Sequence, residues 1–419
     1  MNMNEPKLRF KADDGSQFPE WEEKKIGDIT LSHNAGVYIA KDNYGTGTNI
    51  IGVGDIYESD VINGKQYRLA PVDSDEYILD EGDLVYGESS LVTEGIARTV
   101  CISAAGKGTA FAWHTRRYKV DRTIINPYFL TLQVNYAKRV RNHLMRVCTR
   151  NALTGMTTNE YFGTKVSVPC LPEQQKIADF LSTIDTVIEK QKETVSAWEE
   201  RKKGVMQKLF SQEVRFKADD GSEFPEWEEK SYLSICNVFA DGDWIESKDQ
   251  SDSGIRLIQT GNIGNGVFID KDDKKKYISK ETFDRLKCNE VFEGDILISR
   301  LPSPAGRACI VPKLNERMIT AVDCTIVRTD KSIILHDYCV QFMQSSKHFY
   351  YVASMMAGGT RQRISRKNLE DELISVPCLE EQQKIADCLS SLDEVIENQK
   401  ATLAAWEELK KGLLQQMFV

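Results

Sequence analysis

The sequence predicts an α+β protein in which two similar globular domains alternate with two long helices that pair as an antiparallel coiled coil, giving a pseudo-two-fold plan. Three observations support this fold class. A heptad-patterned segment starting at Leu171 recurs 208 positions later, a polar segment starting at Arg9 recurs 206 positions later, and short β-like runs broken by glycine and aspartate lie between them. We call the two copies of the polar segment, Arg9–Lys24 and Arg215–Lys230, the straps, because each would join a helix end to a globular domain. We assign residues 1–168 to the first strap and first domain, 169–214 to a central helix, 215–376 to the second strap and domain, and 377–419 to a C-terminal helix.

The two helical segments carry an a/d heptad seam. Its polar interruptions, Gln191 and Lys202, return in the second copy as Gln399 and Lys410. A helix of this length extends about 57 Å at about 1.5 Å per residue, which is longer than an amphipathic core helix of one domain. We predict that the two copies pack against each other through apolar seam residues: Ile177, Leu181, Ile184, Ile188, Val195, Trp198, Ile385, Leu389, Leu392, Ile396, Leu403 and Trp406.

The linker after the first helix determines the predicted direction of pairing. About twenty residues separate Phe210 from the next globular segment near Tyr232. A parallel pair would require this linker to run back along the whole helix, close to its extended limit of about 3.3 Å per residue. An antiparallel pair needs almost no reach. The sequence therefore favours antiparallel helices with one globular domain at each end, in a register that it does not define.

The two globular segments follow the same order of elements with different side chains. NIIGVGDIY from Asn49 corresponds to RLIQTGNIGNGVFI from Arg256, and EGDLVYGES from Glu81 corresponds to EGDILISR from Glu293. A helix predicted from Asn126 corresponds to HDYCVQFMQSSKHFYYV in the second segment. The straps and long helices are near copies, so a symmetric frame carries two differing domains.

The composition is typical of a soluble protein, which we place in the cytoplasm. Charged residues make up 28% of the chain, and no run of about 18 apolar residues could cross a bilayer. The start MNMNEPKLRF is unlike a secretory signal. Ten cysteines are scattered without a CxxC pair, which predicts reduced, mostly buried thiols. We expect no membrane association.

The charges are unevenly distributed along the first domain. The net charge of −9 argues against nucleic-acid binding, but residues 26–97 contain 13 acids and 3 bases, whereas residues 98–150 contain 11 bases and a single acid, Asp121. If folding gathers those bases on one face, contact with DNA phosphates is compatible with the acidic total.

Several of these segments together resemble the specificity (S) subunits of type I DNA restriction–modification enzymes. They are the paired helix starts LPEQQKIADFLSTID and LEEQQKIADCLSSLD, the EGDILISR strand and turn, the RLIQTGNIGNG segment and RQRISRKNLEDELISVPC. The resemblance covers nearly the whole chain, and the double occurrence in this order makes it specific. It implies two target-recognition domains, each reading one half of a bipartite double-stranded DNA sequence, with the gap between the halves fixed by the helix pair.

The resemblance also implies partners. Two methyltransferase subunits, which methylate adenine with S-adenosylmethionine, would dock on this chain, and restriction/translocase subunits would join the assembly. The chain itself would be a non-catalytic subunit that binds no cofactor and no metal. The residues agree with this expectation, since Asn126-Pro127-Tyr128 lacks the second proline of an adenine methyltransferase motif and the five histidines have no metal-ligand spacing.

Basic side chains in loops are the predicted DNA contacts. Arginine pairs bidentately with guanine, and backbone phosphates need hydrogen-bond donors. The candidates are Arg98, Lys107, Arg116, Arg117 and Lys119 in the first domain, and Arg300, Arg307, Arg361, Arg363 and Arg366 in the second. For each of them the alternative is a solvated surface charge or a local ion pair.

Two other functions stay open on the sequence alone. The chain could be a non-catalytic scaffold whose coiled coil organises proteins while its domains read no DNA sequence. It could also be an autonomous enzyme, which the missing catalytic motifs disfavour. The basic half of the first domain and the difference between the two domains favour the DNA-specificity subunit.

Overall fold

The structure, a computed structural model, describes residues 6–150, 154–358 and 362–418 and divides into two compact units. Unit 1 comprises Met1–Lys192 together with Ala401–Val419, and unit 2 comprises Glu193–Lys400. Each long helix therefore contributes one part to each unit. Helices and strands alternate in both, which confirms the predicted α+β class.

Unit 1 is built around a five-stranded sheet of order β2-β10-β6-β8-β4, with two three-stranded sheets, β5-β3-β9 and β11-β12-β7, and an antiparallel β1-β13 pair. The strands are β1 (Glu22–Lys25), β2 (Thr30–Ala35), β3 (Thr48–Ile51), β4 (Val61–Ile62), β5 (Arg68–Ala70), β6 (Leu84–Gly87), β7 (Ser89–Ser90), β8 (Thr99–Ile102), β9 (Ala110–Phe111), β10 (Thr115–Val120), β11 (Thr149–Arg150), β12 (Thr154–Gly155) and β13 (Lys165–Val168). The helices that follow them are α1 (Pro127–Tyr136), α2 (Lys138–Val147), α3 (Thr158–Gly163) and α4 (Leu171–Phe210).

Unit 2 repeats the central arrangement, because its sheet of order β15-β23-β20-β21 corresponds to β2-β10-β6-β8. Its strands are β14 (Glu228–Ser231), β15 (Cys236–Asp241), β16 (Gln250–Ser251), β17 (Ile255–Ile258), β18 (Tyr277–Ile278), β19 (Glu290–Val291), β20 (Ile296–Ser299), β21 (Ala308–Ile310), β22 (Met318–Thr320), β23 (Cys324–Thr329) and β24 (Leu373–Val376). The helices are α5 (Lys280–Leu286), α6 (His336–Phe342), α7 (Ser346–Ser354), α8 (Arg366–Glu370) and α9 (Leu379–Met417). A second five-stranded sheet has the order β16-β18-β17-β22-β19.

The helix predicted from Asn126 is in fact two helices. The Asn126 side chain accepts from the backbone N–H of Phe129 and caps α1, and the chain breaks at Ala137, whose backbone is extended (φ −64°, ψ 114°). Helix α1 is buried on nearly every side, whereas α2 buries only Val140 and Leu144. The break separates an internal helix from an amphipathic surface helix, a change of environment that one straight helix could not accommodate.

The repeated straps are explained by a clamp that each unit contains. In unit 1 the Arg9 Nε and Nη2 atoms donate to the two carboxylate oxygens of Glu173 at 3.0 and 2.7 Å, and Trp21 Nε1 donates to the same carboxylate at 3.1 Å. Glu173 lies in the first turn of α4 and is fully buried. The strap also reaches the C-terminal end of the chain, since the Leu8 N–H donates to Gln416 O.

Unit 2 repeats this clamp at the start of α9. Arg215 donates to Glu381 at 3.1 and 2.8 Å, and Trp227 Nε1 donates to Glu381 Oε2 at 2.8 Å. The clamp therefore accounts for the recurrence of arginine and tryptophan in the two strap repeats, RFKADDGSQFPEWEEK and RFKADDGSEFPEWEEK.

Eight of the twelve predicted seam residues are buried, and the other four are partly buried. In unit 1 the start of α4 and the end of α9 share one hydrophobic core with Leu403 and Trp406 at its edge; its buried seam residues are Ile177, Leu181, Ile184 and Ile188, beside Leu414, Met417 and Phe418. In unit 2 the corresponding core contains Ile385 and Leu389, with Leu392 at its edge, beside Met206, Leu209 and Phe210. Val195 and Ile396 are also buried, and Trp198 is partly buried.

All ten cysteines are free thiols, and six of them are buried. In the part of the chain that the structure describes, none of the helices combines the length and apolarity needed to cross a bilayer.

Candidate nucleic-acid interface

In the first domain, Arg116 on β10 is held by neighbouring side chains. Its Nε donates to Glu88 Oε1 at 2.6 Å, and its Nη1 lies 3.3 Å from His33 Nδ1 on the adjacent strand β2. Arg116 and Glu88 are both mostly buried. The guanidinium is thus fixed in position and already paired with a carboxylate.

Two aspartates before β6 bind three more of the predicted bases. Lys107 and Lys119 lie 3.2 and 3.5 Å from the Asp80 carboxylate, and Lys119 and Arg117 each lie 3.7 Å from Asp83. The hydrogen bond from Lys107 lowers the pKa of Asp80, whereas burial raises the pKa of Asp83. These contacts form one mixed-charge cluster across β6 and β10.

Arg98, the fifth predicted contact, lies in the interior of the domain. Its Nη2 donates to Asp60 Oδ1 at 2.9 Å and to the Tyr136 hydroxyl at 3.2 Å, and its guanidinium lies over the Tyr136 ring. The acid-rich first half of the domain therefore neutralises much of the base-rich second half. All five candidates are members of ion pairs, and their contact with DNA stays a prediction.

Exposed positive charge does occur on helix α2 and the following strand β11, at residues outside the predicted DNA contacts. Lys138, Arg146 and Arg150 are exposed and form no ion pair with any carboxylate that the structure describes. Arg139 pairs with Glu23. The sequence pattern that could have indicated these exposed bases is the basic second half of the helix predicted from Asn126. That pattern points to a positively charged surface only when α2 is recognised as a separate helix on the surface. This basic helix is an additional candidate for contact with DNA phosphates.

In the second domain, three predicted arginines converge on two aspartates. Arg300 and Arg366 approach Asp241, the last residue of β15, at 3.5 and 3.8 Å, and Arg363 approaches Asp323 at 3.6 Å. Arg300 is buried and donates to Val322 O, whereas Arg363 is more than half exposed. Arg361 lies outside the described residues. The structure thus brings Arg300, Arg363 and Arg366 into one cluster.

Arg307 has a different role, because it organises a loop. Its guanidinium donates to four backbone carbonyls at 2.7–2.9 Å: those of Thr260, Ile263, Leu301 and Pro304. The loop between β20 and β21 is thereby held against the segment after β17. All these acceptors are neutral, so the guanidinium keeps its full positive charge in this loop.

A buried histidine, His348, also holds this loop through a contact with the backbone carbonyl of Gly306. His348 Nε2 lies 2.9 Å from Gly306 O, and Nδ1 lies 2.9 Å from both carboxylate oxygens of Glu372. The imidazole thus links the loop to the Glu372 carboxylate through its two ring nitrogens. Burial raises the pKa of Glu372. Gly306 has a φ of +83°, and a Cβ there would lie 2.8 Å from His348 Nε2, so the loop can pass here only as glycine.

Both domains expose an aromatic side chain at the same position of the repeat. Tyr38 follows β2 and Trp244 follows β15, and each is 69% exposed. The preceding glycines, Gly36 and Gly242, pack so closely that a Cβ would lie 2.1 and 2.3 Å from the carbonyls of Ala112 and Ala321. Trp113 also stands edge-on to Tyr38 at 5.3 Å. Exposed aromatic rings are suited to stacking on bases or sugars.

Among the described residues, no group of three or more histidine, cysteine, aspartate or glutamate side chains is arranged to hold a metal ion. The sites described above offer positive charge, fixed donors and aromatic surface.

A family model described as "Type I restriction modification DNA specificity domain" matches the chain twice, over residues 19–196 and 225–407. The chain belongs to this family. It is a DNA-binding specificity subunit with two repeated recognition domains, as the sequence resemblance implied. The scaffold alternative is therefore not favoured.

Two proteins of Methanocaldococcus jannaschii are similar along much of the chain. The MjaX specificity subunit is 22% identical over 425 residues, covering 97% of this chain and 94% of that protein. The type I restriction enzyme MjaVIII specificity subunit is 24% identical over 263 residues, covering 60% of each.

Two solved structures share the fold. The type I restriction–modification S subunit from M. genitalium superposes with a TM-score of 0.56 at 14% identity, covering 99% of both chains. A chain from a structure concerned with the assembly and conformational transition of a type I system gives 0.54 at 16% identity, covering 96% of this chain and 98% of that one. At these identities the likeness concerns the fold of the specificity subunit.

Proposed function

We propose that this specificity subunit reads a bipartite double-stranded DNA target, one half with each domain, and that α4 and α9 pair as an antiparallel coiled coil that sets the gap. The observation that carries the proposal is the direction of the contacts within each unit. In unit 1 Asp185 contacts Lys410 at 2.6 Å and Lys192 lies 4.0 Å from Glu407. In unit 2 Lys202 contacts Asp393 at 2.6 Å and Glu199 contacts Lys400 at 3.0 Å. The helices run in opposite directions in each unit, which supports antiparallel pairing.

Different side chains on the same frame support separate half-sites. The second domain offers the Arg300, Arg363 and Arg366 cluster, with Trp244 three residues after Asp241, whereas the first offers Arg116, Tyr38 and the basic helix α2. Side-chain donors such as these distinguish one base from another, whereas exposed positive charge binds the phosphates. Two domains with different donors therefore suit two different half-sequences.

The partners of the proposed assembly are those that the family resemblance implies, and the repeat supports two like docking positions. Two methyltransferase subunits would dock on the two like sets of strap and helix, and restriction/translocase subunits would join them, in the cytoplasm. S-adenosylmethionine would bind to the methyltransferase partners, which would methylate adenine, while this chain would bind no cofactor. The strap clamps Arg9–Glu173 and Arg215–Glu381 have the same geometry, which supports two equivalent docking surfaces.

The experiment is to co-express the full chain with a cognate methyltransferase subunit in a host without adenine methylation and to map methylated adenines across the genome. We expect one motif consisting of two half-sequences with a fixed gap. Replacing residues 26–165 with the corresponding domain of another specificity subunit should change one half only, and replacing 231–375 should change the other. Complexes that form without any methylated motif would contradict the proposal.

A further inference from the structure

The seam lysines Lys410 and Lys202 interrupt an otherwise apolar stripe at the same position of the repeat, 208 residues apart. A buried charge is costly unless it is paired, so a polar residue at a seam position usually contributes specificity of register or orientation rather than stability. The partners of the two lysines show what each one orients.

In unit 1, Lys410 joins the helices to the globular domain. Its Nζ lies 2.6 Å from Asp185 Oδ1 on α4 and 3.3 Å from Asp60 Oδ2 before β4, and it lies 6.0 Å from the centre of the Tyr136 ring. The Lys410 side chain is only 17% exposed. The ammonium group of Lys410, on α9, thus contacts both α4 and the globular domain of unit 1.

Asp60 makes this contact directional. Besides Lys410 it accepts from Arg98 Nη2 at 2.9 Å, from Asn135 Nδ2 at 2.9 Å and from the Tyr136 hydroxyl at 2.8 Å. Asn135 and Tyr136 end α1, and Asp60 is almost fully buried. Each carboxylate oxygen therefore has defined donors, so the lysine cannot move without breaking a buried network.

In unit 2, Lys202 likewise connects the helices to the globular domain, but its partner in the domain is a side-chain amide and not a carboxylate. Lys202 Nζ lies 2.6 and 2.8 Å from the Asp393 oxygens and 3.1 Å from Gln344 Oε1, and Gln341 Nε2 donates to Asp393 Oδ2 at 2.9 Å. Lys202 and Asp393 correspond to Lys410 and Asp185 in the repeat. The helix-to-helix pair is kept, while the domain contributes amides in place of Asp60.

We propose that Lys410 and Lys202 are positioning residues that lock each recognition domain to the helix segments of its own unit, and that this lock restricts the protein to one gap length. Apolar contacts are non-directional and tolerate small rotations of one body against another. A lysine bound by oxygens of both the domain and the helix does not tolerate such rotations, because tilting the domain breaks the bonds of the ammonium group. Adding one base pair moves a half-site by about 3.4 Å along the DNA axis, so a rigid joint rejects the longer gap.

This proposal rests on the proposed bipartite target, and the experiment separates the two. The full chain carrying Lys410→Met or Lys202→Met is assembled with its methyltransferase, and methylation is measured on plasmids whose two half-sequences have the natural gap or a gap one base pair longer or shorter. Methionine keeps the length and apolar stem of lysine. Lys411→Met and Lys203→Met are matched controls, since these lysines are 64% exposed and, among the residues that the structure describes, form ion pairs only within their own helices.

We expect both seam variants to raise methylation at the altered gaps, relative to the natural gap, by about tenfold, which corresponds to about 1.4 kcal/mol. The controls should keep the wild-type ratio. Lys202→Met is the variant expected to fold best, because Asp393 is partly exposed and can be hydrated once the lysine is gone. A purely structural role would lower methylation at all gaps equally.

An unchanged gap ratio in Lys202→Met, measured on folded protein, would overturn the positioning role. Lys410→Arg provides a second test, because it keeps the positive charge and should retain more of the wild-type ratio than Lys410→Met. A wild-type protein that methylates without a fixed gap would contradict the proposed bipartite function. A wild-type protein with a fixed gap that the variants do not alter would contradict only the positioning role of the lysines.

Discussion

Arg9 and Glu173 form a bidentate ion pair in which the carboxylate is completely shielded from solvent. The pair connects the N-terminal strap to the first turn of α4, and Trp21 donates to the same carboxylate. A buried carboxylate with three donors is worth most to the fold when all its partners are present.

The first prediction concerns this clamp. Glu173→Ala removes the buried carboxylate that accepts two bonds from Arg9 and one from Trp21, so we expect unit 1 to be destabilised by about 3–5 kcal/mol. The measurement is the thermal unfolding of the full chain by calorimetry. Glu20→Ala, at an exposed strap residue, should leave the transition unchanged. Equal effects of the two substitutions would show that the clamp does not hold the strap.

The second prediction concerns Arg307. Lysine has one ammonium group and cannot reach four separate carbonyls, so Arg307→Lys should loosen the loop between β20 and β21 and weaken DNA binding by about 2 kcal/mol. Genome methylation should show relaxed sequence preference in one half of the target only. Arg317→Lys, which alters a surface pair with Glu290, is the control. Relaxation in both halves would argue against separate reading by the two domains.

The third prediction concerns the basic surface of α2. Arg146→Gln combined with Arg150→Gln should weaken binding to target and non-target DNA alike, and should reduce the slope of log K against log salt by about 0.9 for each lost phosphate contact. Fluorescence anisotropy of the assembled complex across a salt series measures this slope. Lys41→Gln, an exposed base in the acidic half, should not alter it. A loss confined to the target sequence would place these arginines at bases instead.

The fourth prediction concerns the exposed aromatic residues. Tyr38→Ala and Trp244→Ala should each reduce DNA affinity by about 1–3 kcal/mol through lost stacking. Because both rings are 69% exposed, the melting temperature should hardly change. Leu233→Ala, another exposed apolar residue, is the control. Wild-type DNA affinity with weaker methyltransferase binding would assign these rings to the protein partner.

The fifth prediction concerns acid stability in unit 2. The hydrogen bond from the buried Arg256 lowers the pKa of Asp270 below its ordinary value of 3.8. A carboxylate with a lowered folded pKa contributes stability that is present above its unfolded pKa and is lost as the pH falls through the folded value. The difference in urea midpoint between wild type and Asp270→Asn should therefore shrink between pH 6 and pH 3. Leu233→Ala, which removes an exposed side chain without a titratable group, should show no such convergence.

The long elements were the predictable part of this fold. The seam from Ile177 to Ile188 is readable because a helix places every third or fourth residue on one face, and the strap repeat is visible by simple comparison. The break at Ala137 was missed, since the apolar residues of α1 and the bases of α2 lie in one continuous stretch with no proline or glycine after Pro127. Only the surrounding packing determines where that helix ends.

The candidate site was less predictable, because ion pairs join residues that are distant in sequence. Arg98 meets Asp60 and Arg116 meets Glu88 only after β6, β8 and β10 pair. Composition indicated the segregation of charge, but the sheet order determined that the two halves neutralise each other. The sequence also marked Lys202 and Lys410 as matching interruptions, while their shared role required the positions of Asp60 and Gln344.

The pairing of Arg116, Arg117 and Lys119 with their own carboxylates has a kinetic consequence. A surface whose positive charges are already compensated exerts little long-range attraction on a polyanion, so we expect these three side chains to add little to the rate of encounter with DNA. Their contribution would come at short range, once the DNA lies against the domain, and would lengthen the residence time at a matching sequence.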